Sequence, residues 1–133
     1  MYDQLSIPFK IDDVYHGFAE CNGMLHIHEE GFIFEYETKD AIFNIIKSGI
    51  KRIKLRFTDI RNIEFKKKFF STKLIITSYR LDIISQIPGY KNNRLELIIH
   101  KQDRDEAREL TMRANLFIAE ARLKSIEGNE RNG

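Results

Sequence analysis

Two histidines one residue apart, His26 and His28, stand just ahead of a carboxylate, Glu35, in the stretch GMLHIHEEGFIFE. Two imidazoles and a carboxylate are a donor set that zinc accepts, provided the chain brings them to one point. On a strand, side chains alternate between faces, so His26 and His28 share one. If Glu30-Gly31 turn the chain, His28 faces Ile33 and His26 faces Glu35, and the three could meet one ion. The same residues serve as well as the polar outer face of a hairpin, and an outer face seldom provides the concave, partly dry pocket of a catalytic metal. The expectation is a surface, with no metal and no cofactor.

A second group is basic. Arg52, Lys54 and Arg56 alternate with Ile53, Leu55 and Phe57 in KRIKLRF, and Lys66, Lys67 and Lys68 follow, with Lys73 beyond. If the two strands that carry them pair, they form one patch able to hold phosphate groups of anionic lipid, each cation contributing about 1 kcal/mol near such a surface. Lysines also protect exposed sheet edges from aggregation, so the run has a plain structural use. Phe69 and Phe70 come directly after it, either as aromatic side chains that enter a membrane or a partner, or as a turn anchored in the core.

Nothing in the chain reads as catalytic. It has no Gly-rich phosphate loop and no Gly-x-Ser-x-Gly element, and Cys21, its single cysteine, has no convincing base. One cysteine cannot close an internal disulfide, which fits a reducing, cytoplasmic setting with peripheral attachment at the inner membrane face left open. The 22 Lys and Arg against 20 Asp and Glu leave a net charge of +2, so no nucleic acid partner is expected.

The elements that must position these groups are mostly strands. Val14 to Tyr36 reads as a meander with turns at Asn22-Gly23 and Glu30-Gly31. That register puts Phe18, Leu25, Ile27, Phe32 and Phe34 in the core, with Cys21, Met24, His26, His28 and Glu35 on the opposite face. Residues 38–50 suit a short helix or an irregular insertion, although their isoleucine and phenylalanine content equally suits a strand. KRIKLRF, IRNIEFKKK, TKLIITS, LDIISQ and RLELIIHK read as strands, and Pro88-Gly89 turn the chain before the last of them. Ile33 and Ile98, both off the core face, hint at a second apolar face for a helix or another subunit to cover. From Asp103, a candidate N-cap with Glu106 completing a capping box, an amphipathic helix runs to about Lys124. Its apolar stripe is Ala107, Leu110, Ala114, Phe117, Ile118 and Ala121. Residues 1–13 read as an N-terminal extension and 125–133 as a disordered tail around one domain, 14–124.

Roughly seven or eight strands followed by one helix form a mainly β chain, a barrel or two orthogonal antiparallel sheets capped by the helix. With GMLHIHEEGFIFE, then IKLRFTDIRNIEF and the terminal helix, it resembles the pleckstrin-homology superfamily, and within it the GRAM-like and bacterial PH-like domains. The resemblance implies non-enzymatic recognition: contact with a protein partner or self-association, and otherwise anionic membrane through Arg52, Lys54, Arg56, Lys66, Lys67 and Lys68 with Phe69 and Phe70. In the lipid-binding members a basic loop joins the first two strands, whereas CNG carries no basic residue.

Overall fold

The structure, a computed structural model, describes residues 5–14, 17–40 and 49–132. Its seven strands are β1 (Ser6–Val14), β2 (Ala19–Ile27), β3 (Gly31–Asp40), β4 (Lys51–Arg56), β5 (Ile60–Lys67), β6 (Thr72–Ser78) and β7 (Arg94–Ile99). They form one antiparallel sheet in the order β4-β3-β2-β1-β7-β6-β5. Among the described residues β4 and β5 end that order without pairing to each other, so the sheet is not closed. Between β6 and β7 lies one short helix, α1 (Leu81–Ile84), and after β7 a long one, α2 (Arg104–Asn132).

Residues 6–13, read as part of an extension, supply most of a central strand. β1 pairs with β2 on one side and with β7 on the other, and Ile7, Phe9 and Ile11 are buried. Isoleucine and phenylalanine alternate here with Ser6, Pro8, Lys10 and Asp12, which is the period-2 pattern of a half-buried strand.

Asn22-Gly23 is not a turn. β2 runs straight through it, with Asn22 opposite Glu37 and Gly23 opposite Tyr36 on β3, and Phe9 opposite Gly23 on β1. Glycine stands there because of crowding: a Cβ at position 23 would meet the Glu35 carbonyl and the Phe9 ring. That one correction reverses two side chains. In a continuous strand the odd-numbered residues face inward, so Cys21 is fully buried with Ala19 and Leu25, while Phe18, at the β1–β2 turn, is 63% exposed.

The second hairpin turns at Glu29-Glu30, where the His28 N–H donates to the Gly31 carbonyl. His26 therefore pairs with Ile33, and Glu35 with Met24. The register differs by two residues from a turn at Glu30-Gly31, which preserves every face. Thr38 to Asp40 extend β3 instead of starting a helix, and residues 41–48 of that candidate helix lie outside the described residues.

LDIISQ, expected as a strand, forms α1. Ile84 and Ile87, three apart, are both buried, and the Arg80 guanidinium closes on the Asp82 carboxylate with two hydrogen bonds of 2.9 and 2.7 Å. β4 and β5 are joined by a single 3₁₀ turn (Phe57–Asp59) and sit at opposite ends of the strand order, so they do not pair.

α2 covers the sheet, packing against β5, the 3₁₀ turn and β1. A chain of rings leads from the sheet to the helix: Phe9 to Phe34, Phe34 to Phe32, Phe32 to Phe57 at 5.5 Å, and Phe57 stacked on Phe117 at 5.3 Å. Ala107, Leu110, Ala114 and Ile118 are buried, with Phe117 and Ala121 half-buried beside them. The expected stripe is the stripe that packs. The helix does not stop at Lys124 but continues through the tail to Asn132, and residues 122–127 are exposed.

Candidate functional site

The outer face of the first strands gathers the histidine group and one residue that the sequence motif did not include. β1 places Ser6 opposite His26, with the Ser6 hydroxyl 2.5 Å from His26 Nδ1. On the other side of the ring, Nε2 lies 3.1 Å from Glu35 Oε1 on the diagonal position of β3, without the alignment of a hydrogen bond. Arg52 from β4 reaches the same oxygen at 3.5 Å. Serine, imidazole and carboxylate are thus in triad order. Such a group works as a nucleophile only with a well-aligned base and with free N–H donors for an oxyanion. Here the His26 main chain is paired to β1 on one side and β3 on the other, and Arg52 shares the carboxylate. The arrangement ties three strands together. Among the described residues no group of three or more His, Cys, Asp or Glu side chains is placed to hold a metal ion, so His26, His28 and Glu35 do not form one.

The basic residues divide into two sets. Arg52 pairs with Glu35, Lys54 with Glu30 at 2.7 Å, and Arg56 with Asp59 at 3.5 Å. The contact with Lys54 holds the Glu30 carboxyl below its ordinary range. A phosphate group arriving there would compete with a carboxylate at each position. At the far end of β5, Lys66 lies 3.7 Å from Glu64, while among the described residues Lys67 and Lys68 have no carboxylate partner.

The lysine run leads into a two-residue turn. The Lys68 N–H donates to the Ser71 carbonyl at 2.8 Å, leaving Phe69 and Phe70 as the tip of the β5–β6 hairpin. They are 87% and 86% exposed, in edge contact with each other at 4.7 Å. The tip is not anchored in the core. Nearby, Arg104 donates from Nε to the buried Thr72 hydroxyl at 2.9 Å, and the Arg108 guanidinium lies over the Phe65 ring at 5.4 Å.

A further apolar surface lies on α2. Met112, Leu116, Leu123 and Ile126 are more than half exposed, and Ala119 between them is exposed too. The steps from 112 through 116, 119 and 123 to 126 are four, three, four and three residues, the spacing of a coiled-coil seam. This signal was present in the sequence, behind the stronger stripe that packs on the sheet. The concave features are less distinctive. A cleft of about 320 Å³ between the β2–β3 turn and α2 has Glu29, Glu30 and Glu120 facing Arg56 and Lys124, mixed charges with no single ligand type. Ile33 and Ile98 are half-buried.

Among the described residues no helix is long and apolar enough to cross a membrane. No family model matches this chain, and no curated protein or solved structure does.

Proposed function

We propose that the chain is a non-enzymatic recognition module of the pleckstrin-homology-like, GRAM-like kind, acting through contact with a protein partner or with its own copies in the cytoplasm. The observation that carries this reading is the exposed second stripe of α2, five apolar residues in register on a helix whose other side is already fully used by the sheet. Single exposed apolar residues are ordinary, but a contiguous row marks an interaction surface. The loop that grips lipid phosphates in the resembled family has no counterpart: the β1–β2 connection, Tyr15-His16-Gly17-Phe18, contains no lysine or arginine. Association through an apolar row should depend on protein concentration and hardly on salt. Size-exclusion chromatography with light scattering at low and at moderate salt tests this. A mass above that of the monomer at both salts supports it, and capture only at low salt speaks against it.

A second reading has its own observation. Phe69 and Phe70 at an exposed hairpin tip beside Lys66, Lys67 and Lys68 fit insertion into an anionic membrane, with the paired Arg52, Lys54 and Arg56 on the other sheet edge contributing less. Co-sedimentation with acidic and with neutral liposomes separates the two. Pelleting that needs acidic lipid and fades with salt would favour the membrane.

A further inference from the structure

The outer stripe of α2 has a self-complementary layout that selects its occupant, an inference that rests on the self-association reading above. At 100° per residue, the stripe centred on Leu116 and Ala119 lies roughly 150° around the helix from the buried row centred on Ala114 and Ile118. A second molecule can therefore dock on it without meeting the sheet of the first. From Met112 to Ile126 the stripe spans about 21 Å of helix axis.

We infer that two copies of this chain pair through this stripe as an antiparallel two-helix seam, with Leu116 of each copy against Ala119 of the other and Met112 against Leu123. Volume chooses that direction, and the charges beside the centre of the seam agree with it. In a parallel pair Ala119 would face Ala119, leaving a gap between two leucine layers, whereas the antiparallel register sets the small residue against a large one in each central layer. Residues flanking the seam on the same side face one another when the helices run in opposite directions. In this register Arg113 of each copy lies opposite Glu120 of the other, giving two symmetric pairs of opposite charge. Arg113 already leans toward Glu109 at 2.8 Å along its own helix, so its guanidinium is positioned at the edge of the stripe. A parallel pair would instead bring Arg108 near Arg113 and Arg122 near Glu127, one repulsive and one attractive contact that offset each other.

A seam of this length is at the small end of stable interfaces, which begin near about 1,200 Å² in total. The dimer is therefore reversible and concentration-dependent.

Disulfide trapping in the full chain reads the register directly, because Cys21 is fully buried and stays out of the reaction. Oxidising a mixture of the Met112→Cys and Leu123→Cys proteins should give a cross-linked heterodimer, while Met112→Cys alone should not trap, since its copy is 11 residues away along the seam, about 16 Å. Sedimentation equilibrium of wild type and of Leu116→Glu/Leu123→Glu accompanies it; both changes are on exposed positions, and the circular dichroism spectrum should be unchanged while dimerisation weakens at least about tenfold. Efficient trapping of Met112→Cys with itself overturns the antiparallel register. A wild-type dimer that persists in the double glutamate variant overturns the stripe as the interface while leaving self-association standing. A wild type that is monomeric at every concentration overturns both.

Discussion

The two faces of α2 are built from the same few residue types, yet one is a core and the other is open to solvent. On the sheet side, Ala107, Leu110, Ala114 and Ile118 are all at or below 5% exposure; on the far side, Met112, Leu116, Leu123 and Ile126 run from 56% to 66%. Residue type therefore does not tell them apart, and only the partner does. The inner row has alanine at two of its four positions, which lets the helix approach β1 and β5 closely, and the ring of Phe117 fills the remaining space over Phe57. The outer row keeps long side chains at nearly every step, suited to reaching into another surface. A helix with one apolar stripe is explained by its own sheet, whereas a second stripe needs something else to cover it.

The comparison is broken most severely by charge. Leu110→Glu places a carboxylate in a fully buried position and should leave no folded protein at ordinary temperature, whereas Leu116→Glu should fold with a melting temperature near that of wild type, both read by circular dichroism. Truncation gives the same contrast at lower amplitude. Leu110→Ala should cost about 2–5 kcal/mol in urea unfolding, and Leu116→Ala less than about 0.5 kcal/mol when measured below the dimerisation range.

Cys21 offers a covalent version of that contrast. Burial pushes its thiol up to about 12, so an alkylating reagent should modify native protein at least about a hundredfold more slowly than urea-unfolded protein, while Leu116→Cys, below the dimerisation range, should react at the rate of an exposed thiol. The same shift sets a pH dependence. Because the folded-state value lies above the unfolded one, the neutral buried thiol supports the fold fully below the ordinary cysteine range, and that support is lost as pH rises from there toward about 12. Denaturant midpoints should fall over that alkaline window, and Cys21→Ala should fall less. The smallest effect is on the other sheet edge. Phe69→Ser/Phe70→Ser should leave the unfolding midpoint within about 0.5 kcal/mol of wild type, because the rings touch mainly each other, and should abolish any pelleting with acidic liposomes.

The alternating strands and the inner helix stripe were legible in the sequence because each follows a strict period tied to one buried face. Ile53 and Leu55, Ile63, Leu95, Leu97 and Ile99, and Ala107 to Ile118 all point where their spacing says. Asn22-Gly23 misleads for a physical reason: glycine in a turn and glycine under a crossing aromatic ring look alike until the neighbouring strand is known, and that strand, β1, lies in a stretch whose sequence reads as an extension. Phe18 and Cys21 then exchanged sides as a consequence. LDIISQ has the β-branched content of a strand, but Ile84 and the Ile87 that follows the stretch are spaced for a helical turn, and the Arg80–Asp82 clamp adds a local contact that a sequence pattern does not display.

Less of the candidate site could be read. The pairing of Arg52, Lys54 and Arg56 with Glu35, Glu30 and Asp59 depends on which strands are neighbours. Ser6 joins His26 only through the β1–β2 register. The exposure of Phe69 and Phe70 depends on a turn of just two residues, too short to fold the rings back onto the sheet. The outer stripe of α2 was fully present in the spacing of residues 112 to 126, although spacing alone does not say that the helix would leave that side uncovered.

The most direct measurement is sedimentation equilibrium of the wild-type chain beside Leu116→Glu/Leu123→Glu over a wide range of concentrations. The account predicts a monomer–dimer equilibrium for wild type, little changed by salt, and for the variant an equilibrium shifted at least about tenfold toward the monomer. A wild type that stays monomeric, or a variant that dimerises as well as wild type, would contradict it.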